Sequence, residues 1–392
     1  MTTQETMARP HSHGAGAPVA HSSRGDRPTS FSLSDIAVPH GREEDWRFTP
    51  MRRIEKLFET QNFETESLGV RIDAPEGVLV EEVARDDQRL GSVLAPGDRT
   101  SVVAWNAFTS AQIVTVPKKT ELEAPIMIDI DGDELTRVQH LALRVESQSV
   151  ATIVMNRGGG KGALNQTVEI EAGDASDLTI VSIQEWDDEF LHASNHRIAI
   201  GRDAKVRHII VTLGGDLVRI CSDTDYRGPG GELTMLGLYF VDSGQHLEHR
   251  VFVDHSQPNC YSRVTYKGAL QGKDAHSVWI GDCLIREAAD GTDTYELNRN
   301  LVLSEGAKAD SVPNLEIENG EIIGAGHASA TGRFDDEQLF YLMSRGIAEA
   351  DARRLVVRGF FAELIEQIGV PQVQEHLMNA IEKELERAAL GA

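Results

Sequence analysis

The stretch of this chain best suited to chemistry is a single histidine among small residues, Gly324-Ala325-Gly326-His327-Ala328-Ser329-Ala330-Thr331-Gly332. Its imidazole could ligate a metal ion or carry a proton near neutral pH. The small neighbours would let another backbone, or a partner, come close. On the residues alone, a hydrogen-bonded structural histidine stays open beside that functional one. His246, His249 and His255 form a second group. On a strand, positions three apart point to opposite faces, so His246 and His249 do not share an ion. Gly158-Gly159-Gly160-Lys161-Gly162 has the glycines of a phosphate loop. It lacks the Ser or Thr that must follow the lysine and any helix after it, so it reads as a flexible turn. The nucleophile elbow, the paired-histidine zinc helix and the dinucleotide fingerprint are all missing. Cys221, Cys260 and Cys283 have neither the spacing of a metal knuckle nor the number for a disulfide framework, which fits a reducing compartment.

The elements that must position these residues follow from texture. Residues 1–30 are rich in Gly, Pro, Ser, His and Arg and read as a disordered leader. In residues 31–76, Trp46, Phe48, Met51, Ile54, Leu57 and Phe58 recur at helical spacing, with Pro50 splitting the stretch into two short helices. Residues 77–332 change character. Short β-type runs such as Ile126–Ile130, Ala151–Met155 and Leu178–Ile183 follow one another every 10 to 15 residues, each ended by turn residues, and no helical period intervenes. That excludes alternating strand–helix units and leaves a sandwich, barrel, propeller or β-helix. The spacing and small corner residues lean toward the β-helix. Residues 333–392 return to helix: a first capped by Asp335-Asp336-Glu337, a second from Glu349 to Gln367 ended at Gly369, and a third begun near Pro371.

Composition limits the function classes. A net charge of −24 makes nucleic acid a poor partner. The chain has no apolar run long enough to span a membrane and opens without a secretory signal, so a cytoplasmic protein is expected.

The runs Ser311-Val312-Pro313-Asn314-Leu315-Glu316-Ile317, Gly326-His327-Ala328-Ser329-Ala330-Thr331-Gly332 and Asp335 through Ile347 closely resemble the signature of the SufB/SufD family of iron–sulfur cluster assembly subunits. Val253-Asp254-His255, Tyr266-Lys267-Gly268, Asn298-Arg299-Asn300-Leu301 and Glu44 through Thr49 are similar to further landmarks. The resemblance implies a mainly β protein, a right-handed parallel β-helix flanked by helical regions. It also implies a non-catalytic scaffold in which a SufB-type and a D-type subunit pair through their β-helices. Each would bind one SufC ABC-type ATPase through its C-terminal helices, for which Arg345, Phe360 and Phe361 are the expected anchors. An iron–sulfur cluster would form transiently at the interface with the SufB-type subunit, with no cofactor bound stably. Asn298 stands where B-type subunits carry a cysteine, and Ala328 where they carry a glutamate. Both departures favour the D type, in which His327 would serve the cluster as a ligand or proton-transfer group. A homodimeric scaffold acting without a SufB-type partner and a β-helix carbohydrate-active enzyme are the alternatives.

Overall fold

The computed structural model describes residues 24–390 apart from 65, 67 and 335. Two nine-stranded sheets face each other, and successive strands alternate between them. Val150 lies beside Asp177, and Tyr261 beside Asp293, so one coil takes 27 residues near the start and 32 near the end. Most strands are ten residues long, from Thr136–Val145 to Gly324–Arg333. This is the expected β-helix, with helices at both ends of the chain.

Parallel register makes like-facing residues stack. One column inside the lumen reads Ile126, Ile153, Ile180, His208, Met235, Val264, Glu296, His327. Apolar members of such columns form the central core, with Ile128, Leu143, Val168, Ile198, Val218 and Val251 among them. The stack starts with antiparallel strands, Val70–Asp73 on one sheet and Leu79–Ala84 on the other. At the far end, Lys308–Ile317 and Gly324–Arg333 are the last strands of their sheets.

Both outer faces are covered, which is why the strands read as continuous apolar runs. On one sheet lies the N-terminal segment. Helical spacing predicts two helices there; the chain instead forms one turn, α1 (Met51–Ile54), then 3-10 turns at Glu55–Leu57 and Thr60–Asn62. Tertiary contacts override the local pattern: Trp46, Ile54, Leu57 and Phe58 are drawn flat onto Ala163, Leu191, Ala193 and Leu217. Residues 1–23 of the expected leader lie outside the described residues. The part from Arg24 to Ser30 is ordered against the sheet, with Arg27 paired to Asp223 at 2.6 Å and set over the Phe252 ring.

A helix also interrupts the β region, contrary to the sequence reading. α2 (Arg99–Ala107) follows the strand Leu79–Ala84 and begins at a capping box in which Asp98 and Ser101 satisfy each other's backbone N–H. Its Val102-Val103 pair and short length hide the period. Three C-terminal helices, α3 (Asp336–Ser344), α4 (Glu349–Ile368) and α5 (Pro371–Leu390), follow as expected, and Gly369 takes the left-handed cap. Asp335, expected in the first cap, lies outside the described residues. Val357, Phe361, Leu364, Ile368, Leu377 and Ile381 pack on Val181, Ile209, Val211, Leu236 and Phe240 of the second sheet.

Two neighbouring strands hold a reciprocal glycine–tyrosine arrangement. The Tyr266 ring lies over Gly237 and the Tyr239 ring over Gly268; a Cβ on either glycine would fall within 2 Å of the ring. Gly268→Ala is expected to lower stability by about 1–3 kcal/mol through overpacking. A chemical denaturation curve for that variant overlying the wild type would refute the packing constraint.

Candidate functional site

His327 sits on the final strand, Gly324–Arg333, and is exposed. Its strand position places it on the lumen side, directly after Glu296 in the column. The neighbouring column ends in Tyr266, Asn298 and Ser329. Across the lumen, the Ser329 hydroxyl meets that of Ser311 at 2.8 Å. Beneath this last coil lie Trp279, Gly281, Glu296 and Asn298. The histidine therefore stands at the open mouth of the lumen.

Glu296 is the residue that sequence reasoning missed. It is 1% exposed, and neither carboxylate oxygen has a hydrogen-bond partner. Gly281 on the facing sheet leaves room for it: a Cβ there would stand 2.8 Å from a Glu296 oxygen. Burial, with Asp282 adding repulsion, pushes its pKa up to about 8. Charge composition cannot single out one glutamate among many. Only its place in an otherwise apolar column marks it.

Asn298, the position of the B-type cysteine, is fully buried. Its amide donates to the Tyr239 hydroxyl at 3.0 Å and to the Tyr266 carbonyl, while its own oxygen accepts from Asn300. No thiol replaces it. Cys221, Cys260 and Cys283 are all buried. Burial raises each thiol, that of Cys221 to about 12. They do not supply thiolate near neutral pH.

His246, His249 and His255 each have partners within the fold. His246 faces outward, against His276 and Glu248, whereas His249 points inward to Thr212 at 2.9 Å and stacks on Tyr239. His255 accepts or donates at Ser262 and stacks on Tyr226. Burial takes His249 and His255 down to about 3, so both are neutral. Among the described residues no three His, Cys, Asp or Glu side chains are grouped to hold a metal ion, so His327 has no complete ligand set of its own. The glycines at 158–162 form a corner, with Gly159 and Gly160 at positive φ.

In the C-terminal region, Arg345 is exposed over the Tyr341 ring. Phe360 is half-buried, with the Lys267 ammonium 5.4 Å from its ring centre. Phe361 is completely buried on the sheet and offers no surface. The exposed apolar groups are instead Phe340, Tyr341 and Met343 on α3 and Leu355 on α4.

Fold and site together define a β-solenoid whose reactive-type side chains gather at one open end of the stack. The chain belongs to the SufB/SufD family: the core domain of the SUF-system iron–sulfur cluster assembly proteins matches residues 128–360. It is 50% identical over 388 residues to an iron–sulfur cluster assembly SufBD family protein of Mycobacterium bovis, covering 97% of each chain. It is also 27% identical over 281 residues to SufD of Bacillus subtilis, covering 69% of this chain and 63% of that one. SufB of the same organism is 21% identical over 321 residues, covering 80% and 69%. Among the described residues, no helix is long and apolar enough to cross a membrane.

The buried carboxyl group makes stability depend on pH. With its folded pKa raised from 4.5 to about 8, Glu296 keeps a proton that the unfolded chain releases. Its contribution is therefore undiminished below pH 4.5 and falls as pH rises toward 8, by up to about 1.4 kcal/mol per pH unit. Glu296→Gln is expected to lack this slope. Urea unfolding at pH 5 and pH 8 should show the variant gaining on the wild type at the higher pH; parallel behaviour would contradict a buried, protonated Glu296.

Proposed function

We propose that this chain is the D-type scaffold subunit of an iron–sulfur cluster assembly complex. It pairs through the open end of its β-helix with a SufB-type subunit, and a cluster forms transiently between them. His327 serves that cluster as a ligand or proton-transfer group, and the cluster leaves without becoming a resident cofactor. A SufC-type ABC ATPase docks on the C-terminal helices. The chain's part is positioning and not catalysis, and its setting is the cytoplasm.

The observation that carries this reading is the asymmetry of the stack. One end begins with short antiparallel strands. The other ends in two edge strands with small residues and an exposed imidazole. Unpaired strand edges are natural sites for another chain to join. Asn298 in place of a cysteine favours the D type, since the thiolate must then come from the partner. For the ATPase, Phe340, Tyr341, Met343 and Arg345 fit a docking face better than Phe361, which the sheet already occupies.

The test is co-purification with SufB- and SufC-type partners. Wild type is expected in a three-component complex. His327→Ala should assemble normally yet yield no cluster in cells. Replacing Phe340 and Tyr341 with serine should weaken ATPase binding at least tenfold while leaving the β-sheet circular dichroism unchanged. A wild-type chain that remains a homodimer in the presence of both partners would overturn the pairing. Normal cluster yield with His327→Ala would remove that residue from the site.

A further inference from the structure

Many polar side chains in the lumen find partners there. Gln166 donates to Gln139, Arg157 donates to Gln166 and Ser182, and Thr212 bonds His249. Near the mouth the same economy holds for most residues: Thr294 bonds Ser262 at 2.6 Å, and Asn298 and Asn300 bond Tyr239. Glu296 departs furthest from this pattern: both of its carboxyl oxygens are buried without a partner, and its neighbours on the strand spend their hydrogen bonds elsewhere.

Two buried donors beside it are also unpartnered, the Tyr266 hydroxyl and the Trp279 indole N–H. These rings stand 6.1 Å apart by their centres, Trp279 in the coil beneath the last one and Tyr266 one coil deeper. A carboxyl group left without a hydrogen bond in a protein interior is costly, and native structures tolerate such a group where a ligand or ordered water completes it. Here the unpartnered carboxyl group lies one strand below an exposed imidazole, on the same face and in register. Adjacent strands are about 4.8 Å apart, a separation that lets two like-facing side chains converge on one ion.

We infer that Glu296 and His327 together form a binding site for a divalent first-row metal ion, iron(II) in the setting proposed above. This rests on the reading of His327 as a functional residue at the mouth of the lumen, and adds a second donor from within the stack. One carboxylate oxygen and one imidazole nitrogen make a donor set suited to iron(II), manganese(II) or cobalt(II), unlike the thiolates that hold a finished cluster. The remaining coordination positions face the open end, where water or donors of a paired subunit complete them. A side chain at Gly281 would first meet the Trp279 ring and then the Glu296 carboxyl at 2.8 Å, so the glycine keeps both in place. The chain thus contributes a ligand pair for the bare ion, and the sulfur chemistry comes from across the interface.

Cobalt(II) titration of the isolated full-length chain, followed by its visible d–d absorption, tests the site directly. Wild type is expected to bind one equivalent with a nitrogen–oxygen spectrum. Glu296→Gln and His327→Ala should each weaken binding at least tenfold. Anomalous diffraction from cobalt-soaked wild-type crystals gives an answer that needs no variant: a peak coordinated by both residues supports the site. Absence of stoichiometric binding, unchanged affinity in Glu296→Gln, or cobalt only on surface carboxylates would each overturn it. Co-purification separates the two readings. A wild-type complex that builds clusters while Glu296→Gln binds cobalt normally sinks only the ligand pair. Specific cobalt binding by a chain that never joins a SufB-type partner sinks only the pairing.

Discussion

Registration is the constraint on which the rest of this structure depends. Each side chain in the lumen lies directly after its counterpart one coil earlier, so a residue is selected by its column as much as by its strand. An isoleucine column persists for three coils before His208 enters it. That histidine is tolerated because His196 on the facing sheet meets it at 2.8 Å, and both imidazoles are kept neutral by burial. Arg157 survives without a carboxylate partner because Gln166 and Ser182 accept its hydrogen bonds, although burial brings the guanidinium down to about 9. Much of the lumen's polarity is met in this way, and Glu296, with neither carboxyl oxygen partnered, is the acid for which it is not.

The two covers obey different physics. The C-terminal helices adhere through an apolar seam of Val, Leu, Ile and Phe side chains, which is forgiving of small shifts. The N-terminal cover is pinned by buried charge. Arg219 lies between Asp98 at 2.6 Å and Glu248 at 3.2 Å, its guanidinium 4.0 Å from the centre of the Trp46 ring, while Arg250 joins Glu248 to Asp45. Both acids are held well below the usual carboxylate range, chiefly by Arg219 and by hydrogen bonds that outweigh the cost of burial. Removing one member strands the others, so this cover has a fixed position on its sheet.

Much of this was legible in the residues. The turn-bounded runs from Ile126 onward announced strands at the right spacing, Gly369 and Pro371 marked helix boundaries, and the motif around His327 pointed to the family. What stayed hidden depended on contacts distant in sequence. Arg99–Ala107 forms a helix because Asp98 caps it and the sheet receives it, against the β-branched character of its centre. Phe360 and Phe361 look equivalent on paper, yet the sheet buries one and leaves the other at its margin under Lys267. Glu296 carries no local signal at all, since the acid becomes unusual only when thirty-odd residues of coil return His327 to the same column.

The direction of the first strands has a consequence for polarity. A ladder whose two ends match can add copies indefinitely, as fibres do. Here Val70–Asp73 and Leu79–Ala84 run against the direction of the sheets, whereas Lys308–Ile317 and Gly324–Arg333 keep it. The two ends of the axis therefore present different edges. A column of identical copies would interrupt the parallel ladder once per molecule, so the coil's own repeat does not carry over from one copy to the next.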